Sequence, residues 1–432
     1  MAMLSTRLVG ESGGTVDAVG SKSTGASHGG SNPPSRTKYH ADADSASVST
    51  LSSCLRIFLC GNPALDQADH SLPQRPVIEM QLFQCQKCSQ LLYFEATVCE
   101  TCGSTLGYEP IGAVLQALRA DGDDWRPVAA PDEAYRFCAN ARHLACNWLV
   151  HADSPERFCR ACRHNRTIPA LAEGENLLRW QKLEYAKHRL FYQLIKLKLP
   201  LPTNVELPGH GLVFDFLAQA QQPGAAKVMT GHDDGLITLN LQEADDAARE
   251  KLRTQMHEPY RTLLGHFRHE IGHFYWDILV RDGGRLEQCR AVFGDDRDDY
   301  NQALQRHYQN GAPHDWRENF ISQYATTHPW EDFAETWAHY LHIVDTLETA
   351  AAFTLGVHPR HVDDPDLHAD ITLNPYGAGP VNGLVEAWLP LTFAVNSLNR
   401  SMGIADLYPF ILGPSVIAKM GFIHALVQDT LP

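Results

Sequence analysis

One short run of the chain, His269–Glu270–Ile271–Gly272–His273, has the residue types and spacing to do metal chemistry. Histidines four apart on a helix lie on one face, one turn above the other, so both imidazoles can reach a single ion. Glu270 stands beside them, placed to take a proton from an activated water rather than to bind the metal. A catalytic zinc needs a third protein ligand and an open position. The best source is Trp330–His342 (WEDFAETWAHYLH), where Glu331, Glu335, His339 and His342 run along roughly one stripe. Glu331 and Glu335 share a face, so one can bind zinc while the other accepts a hydrogen bond from a ligand histidine. Phe333, Trp337 and Leu341 flank them too heavily for a solvated surface helix.

Both segments must be helices for this to work. Leu263, Leu264, Phe267, Ile271, Phe274 and Ile278 fit a buried helix over Glu258–Val280, which has no proline after Pro259. Pro329 suits the start of the second helix. His266 reads as a partly exposed helix histidine.

Cysteines form the second signal. Cys85, Cys88, Cys99 and Cys102 stand as C-x2-C-x10-C-x2-C, with Gly103 directly after. Two such knuckles bring four thiolates around one zinc, each a tight turn aiming backbone amides at sulfur. Cys138, Cys146, Cys159 and Cys162 form a looser set, C-x7-C-x12-C-x2-C, read as a second structural zinc site in which His143 or His164 could replace a cysteine. Cys54, Cys60 and Cys289 have no partners at ligand spacing. Arg157–Arg166 is locally basic, yet a tetrathiolate zinc carries a net double negative charge. A structural or protein-docking role for this module is therefore favoured over nucleic-acid binding.

The whole chain of 432 residues carries 36 basic and 51 acidic residues, a net charge of −15, which does not suit a dedicated nucleic-acid binder. It is 44% hydrophobic and 20% charged, which excludes disorder throughout. Residues 1–53 are dense in Ser, Thr and Gly with almost no periodic apolar pattern, so Met1–Glu79 is expected to be a disordered extension, with Met80 the expected natural start. No signal-peptide pattern opens the chain. Leu407–Val427 contains Pro409, Pro414, Lys419 and His424, so it reads as buried core rather than a membrane span. A cytoplasmic, reducing setting follows, in which cysteine clusters signal metal more often than disulfides.

Leu177–Leu199 is predicted helical and is stopped by Pro200 and Pro202. Strands are predicted at Leu212–Leu217, Lys227–Thr230 and Leu236–Leu241, the last two joined by the turn Asp233–Asp234–Gly235. After Glu243 the pattern reads as helices and loops, with a long loop over Ala352–Pro380 and helical core over Leu384–Val427. The expected fold class is α+β: a small β-rich zinc-ribbon module over 80–170, then a mainly helical domain with a short sheet over 174–432.

HEIGH followed some sixty residues later by EDFAE resembles the gluzincin metallopeptidases. With the CxxC module, HEIGHFYW, HPWEDFAETWAHYLH and the SLNRSMG–DLYPF segment, Met80–Val427 resembles more narrowly the bacterial zinc-binding metallopeptidases with an N-terminal zinc ribbon. The resemblance implies a zincin-like fold, one catalytic zinc, one or two structural zincs, and a peptide or protein substrate. It implies that Glu331 binds zinc and Glu335 steadies His269 or His273, with the reverse assignment as alternative. It also implies a role for Tyr324, seven residues before the ligand glutamate, as donor to the oxyanion of the tetrahedral intermediate. By the same resemblance Leu236–Leu241 is the edge strand that aligns an extended peptide. The expected activity is hydrolysis of peptide bonds by zinc-activated water with Glu270 as general base. The alternative is a zinc-ribbon adaptor for protein or nucleic acid whose zincin domain is degenerate.

Overall fold

The computed structural model describes residues 82–219, 228–249, 262–360, 364–377 and 379–429. All of these lie within one compact unit, Arg75–Pro432. The predicted extension over 1–79, with Cys54, Cys60 and Met80, lies outside the described residues, as do residues 258–261 of the first predicted catalytic helix.

The first cysteine set is built on turns. Strands β1 (Phe83–Gln84) and β2 (Leu91–Leu92) pair antiparallel around the first knuckle, where the Ser89 amide donates to the Cys85 carbonyl at 2.8 Å. The second knuckle closes in the same way from the Gly103 amide to the Cys99 carbonyl at 2.8 Å. Gly103 needs its φ of +68° to do so, a conformation in which a side chain would be strained. An antiparallel meander follows: β3 (Thr105–Glu109), β4 (Val114–Asp121), β5 (Asp124–Pro127), β6 (Tyr135–Phe137) and β7 (Leu149–His151). It turns Leu106, Tyr108, Leu115 and Ala117 inward, where Trp148 joins them.

The rest is mainly helical with one mixed sheet, as the sequence predicts. Helix α1 (Asn176–Lys196) buries Trp180, Leu183, Leu190, Phe191 and Leu194 and with them the polar Glu184, Lys187, His188 and Gln193. The sheet runs in the order β10 (Gly231–Asp233), β11 (Leu236–Asn240), β9 (Val213–Leu217), β8 (Asn165–Thr167). Only the β10–β11 pair is antiparallel. Two expectations fail here. Of the strand predicted at Lys227–Thr230, Lys227 lies outside the described residues and 228–230 form no strand; the strand is Gly231–Asp233, and the Asn240 amide and side chain bond instead to Thr230 and Val228. Leu236–Asn240 is an interior strand paired on both sides, and the edges of this sheet are β10 and β8.

Helix α2 (Leu263–Tyr275) carries HExxH and is capped by the Thr262 hydroxyl, which accepts from the Gly265 amide at 2.9 Å. It continues into a π-helical turn, Trp276–Arg281. After α3 (Leu286–Phe293) and α4 (Tyr300–Asn310), helix α5 (Pro329–Ala352) carries both candidate glutamates. Pro329 occupies its first turn, and His328 Nδ1 caps it by accepting from the Trp330 amide at 3.1 Å. A short hairpin, β12 (Gly356–Val357) with β13 (Ala369–Asp370), breaks the expectation of helices and loops alone after Glu243. Helices α6 (Val381–Ser401) and α7 (Pro414–Asp429) close the core; the predicted burial of Leu384–Val427 holds in α7, at Val416, Met420, Ile423 and Val427, but fails at Phe393, Leu398, Leu407 and Ile411, which are exposed.

The crossing of α2 over α5 sets the spacing between HExxH and the two glutamates, and the helices approach closely at Gly272. A Cβ there would lie 3.0 Å from Ala334 Cα and 3.2 Å from Trp337 Cβ. Gly272→Ala must therefore push the two helices apart, at a cost of about 1–3 kcal/mol. A thermal melt of the metal-free protein reads this as a lowered midpoint, and an unchanged midpoint would contradict it.

Candidate metal centres

Side chains from α2 and α5 meet in a buried cluster. The ligand atoms of His269, His273 and Glu331 all lie within 4.8 Å of one another. Glu331 Oε2 stands 3.0 Å from His269 Nε2 and 3.4 Å from His273 Nε2, and the two Nε2 atoms are 3.1 Å apart. That carboxylate oxygen is buried without a hydrogen-bond partner among the described residues. Such an atom is costly unless a proton or cation meets it, and three donors of these types suit zinc. Burial opposes ionisation of Glu331, but the two histidines outweigh it and hold the carboxyl well below its usual range.

Glu335 does something different. Its Oε1 lies 2.7 Å from His269 Nδ1, and its Oε2 accepts from the Ser322 hydroxyl at 2.6 Å. With Nδ1–H held by a carboxylate, Nε2, which faces the cluster, is the nitrogen that would give up its proton to a metal. The Trp330 ring lies 3.7 Å from that of His273, centroid to centroid, and fixes it in place.

Glu270 points elsewhere, toward His266, with Oε1 to Nε2 at 3.2 Å. Burial opposes its charge, and the His266 contact outweighs this and keeps it ionised below the ordinary carboxylate range. His266 also faces Glu243, Nδ1 to Oε2 at 3.6 Å. Although burial pulls its pKa down, Glu243 and Glu270 together push it up to about 9. His266 is partly exposed and stands outside the His269–His273–Glu331 set, as expected, and its ring lies between Glu270 and Glu243. Tyr324 lies beside the cluster, its ring 5.9 Å from that of His269, and burial followed by the charge of Glu331 keeps its phenol protonated.

Both cysteine sets close into clusters of free thiols, each with its four sulfurs within 4.8 Å. In the first, Cys85–Cys102 and Cys88–Cys99 are separated by 3.6 Å. In the second, Cys146–Cys159 is 3.8 Å. A tetrahedron with zinc–sulfur distances of about 2.3 Å has edges of about 3.8 Å, so both sets suit zinc. Backbone amides of Trp148, Cys159 and Cys162 point at the sulfurs of Cys146, Cys138 and Cys159 at 3.3–3.4 Å. Neither histidine proposed as a substitute belongs to this set. His164 Nδ1 bonds the Leu212 carbonyl at 2.9 Å, and His143 accepts from Arg142. The histidine at the cluster is His188 of α1, whose Nε2 lies 3.5 Å from Cys162 Sγ and 3.9 Å from Cys159 Sγ.

Sequence reasoning missed His188, Ser322 and Tyr300, whose hydroxyl donates to Glu331 Oε1 at 2.6 Å. No spacing signal marks any of them, because each reaches its site from another element. Among the described residues, no helix is long and apolar enough to cross a membrane.

A family described as "Putative zinc-binding metallo-peptidase" matches residues 176–426, and a zinc-ribbon domain family matches residues 82–173. Three uncharacterized proteins, one of Mycobacterium bovis and two of Mycobacterium tuberculosis strains, are each 42% identical over 354 residues. That stretch covers 82% of this chain and 97% of each relative. No solved structure matches the chain at a significant level. The family description and the cysteine clusters together support zinc binding. The chain belongs to this metallo-peptidase family and carries a zinc-ribbon domain ahead of the region that defines it.

Proposed function

We propose that the protein is a zinc-dependent peptidase that hydrolyses peptide bonds. His269, His273 and Glu331 are its metal ligands, and the eight ribbon cysteines hold structural zinc. The observation that carries this reading is the buried, unpartnered Oε2 of Glu331, which faces two histidine Nε2 atoms. When bound, zinc would polarise the scissile carbonyl and lower the pKa of water to about 7. Glu270, ionised beside His266, takes a proton from the attacking water and passes it to the leaving amine. Tyr324 keeps its phenolic proton and donates a hydrogen bond to the carbonyl oxygen as charge builds there. Glu335 holds His269 with its Nε2 lone pair toward the cluster.

Substrate alignment falls to β10 rather than β11. Among the described residues β10 is an edge strand of this sheet, and an extended peptide would add to its outer side. His232 of β10 stacks toward His273 at 6.0 Å, which brings this strand to the rim of the cluster. A peptide library incubated with the zinc-loaded protein and read by mass spectrometry tests the reading. New termini should form, vanish when a chelator removes the metal, and return with added zinc. A fully zinc-loaded protein that leaves the library intact would contradict it.

A further inference from the structure

Tyr300 is the least expected group at the catalytic cluster, and it acts on one atom. Its hydroxyl donates to Glu331 Oε1 at 2.6 Å, while Oε2 of the same carboxylate faces His269 and His273. The two oxygens are thus divided, one to a phenol and one to the histidines.

The phenol is held in place from several sides. Tyr300 opens α4, whose first turn is capped by Asp299 Oδ1 accepting from the Gln302 amide at 2.8 Å. His328 ties that start to α5: Nδ1 accepts from the Trp330 amide, so Nε2 carries the proton and donates to the Asp298 carbonyl at 3.1 Å. The Tyr300 ring also meets those of His328 at 5.5 Å and Trp330 at 5.9 Å, both edge-on. The residues on either side of this contact therefore belong to the first turn of the helix that presents Glu331. The charge of Glu331 also acts on Tyr324, whose phenol stays protonated.

A carboxylate with both oxygens free can bind a metal through both, and zinc takes four ligands readily and a fifth when one is offered. We propose that Tyr300 is a positioning residue that makes Glu331 a one-oxygen ligand, leaving a coordination position free for water and substrate. The proposal rests on His269, His273 and Glu331 holding the catalytic metal and goes further in assigning what limits Glu331. Hydrogen-bonding partners of this kind typically contribute 10–100-fold to metal affinity.

Cobalt(II) substitution tests this without any need for peptidase activity. Each protein is compared with its own His269→Ala/His273→Ala counterpart, so that the difference spectrum isolates this site from the thiolate sites. Four-coordinate cobalt absorbs visible light more strongly than five-coordinate cobalt. Tyr300→Phe, which keeps the ring, should lose visible intensity and bind cobalt about 10–100-fold more weakly. Tyr185→Phe, whose hydroxyl bonds the Leu144 carbonyl away from this site, should leave the difference spectrum as it is in wild type, and the thiolate-to-cobalt bands of the ribbon report that every variant is folded. An unchanged Tyr300→Phe spectrum overturns the proposal, whether or not affinity falls, because it means that Glu331 binds in the same way without the phenol. A wild-type protein with no difference spectrum overturns the metal-site reading itself, and this proposal with it.

Discussion

Glu331→Gln should lose one equivalent of zinc per chain, while Glu335→Gln should keep it with affinity lowered about 10–100-fold. The two glutamates sit one turn apart on α5, and their surroundings separate them. Glu331 directs a buried, unpartnered oxygen at both histidines, whereas Glu335 has His269 Nδ1 on one oxygen and the Ser322 hydroxyl on the other. Removing the charge of Glu331 removes a ligand. Removing that of Glu335 loosens the ring that presents one. Elemental analysis of protein equilibrated with a zinc buffer distinguishes them. Loss of the ion from Glu335→Gln alone would reverse the assignment.

Cys159→Ser should damage the whole protein and not only its ribbon. The second thiol cluster is fully buried and lies under α1, with Glu184 and His188 against Cys162. The same helix reaches the two helices of the histidine–glutamate cluster: Gln193 accepts from Arg268 of α2 at 3.1 Å and donates to the Leu341 carbonyl of α5 at 2.5 Å. Structural zinc contributes about 10–16 kcal/mol of apparent binding energy to small domains, so a lost ligand here should cost on the order of 5 kcal/mol or more. Cys88→Ser, at the partly exposed first cluster, should cost less. Zinc content measured beside the thermal midpoint reads both effects. A Cys159→Ser protein with full zinc and an unchanged midpoint would contradict the coupling.

The parts of this site that are legible in the sequence are those whose geometry is local. Histidines at i and i+4 share a helix face wherever the helix lies, and CxxC turns present two sulfurs from one backbone conformation. The helices themselves are legible because Phe267, Ile271 and Phe274, or Phe333, Trp337 and Leu341, repeat with the period of the buried face. The edge strand is not, since Gly231–His232–Asp233 is too short and too polar to alternate, and its identity depends on which side of β11 it covers. Tyr300, Ser322 and His188 are silent for a related reason: each contact joins elements whose approach is decided by packing at places such as Gly272, not by sequence distance.

Glu270→Gln tests the central claim most directly, because Glu270 is assigned to proton transfer and not to the metal. Wild type and variant, each shown to hold the same zinc, are incubated with one peptide library and their cleavage rates compared. The account predicts a rate lower by about 10²–10⁴-fold in Glu270→Gln at unchanged zinc content. Equal cleavage by the two proteins would contradict it.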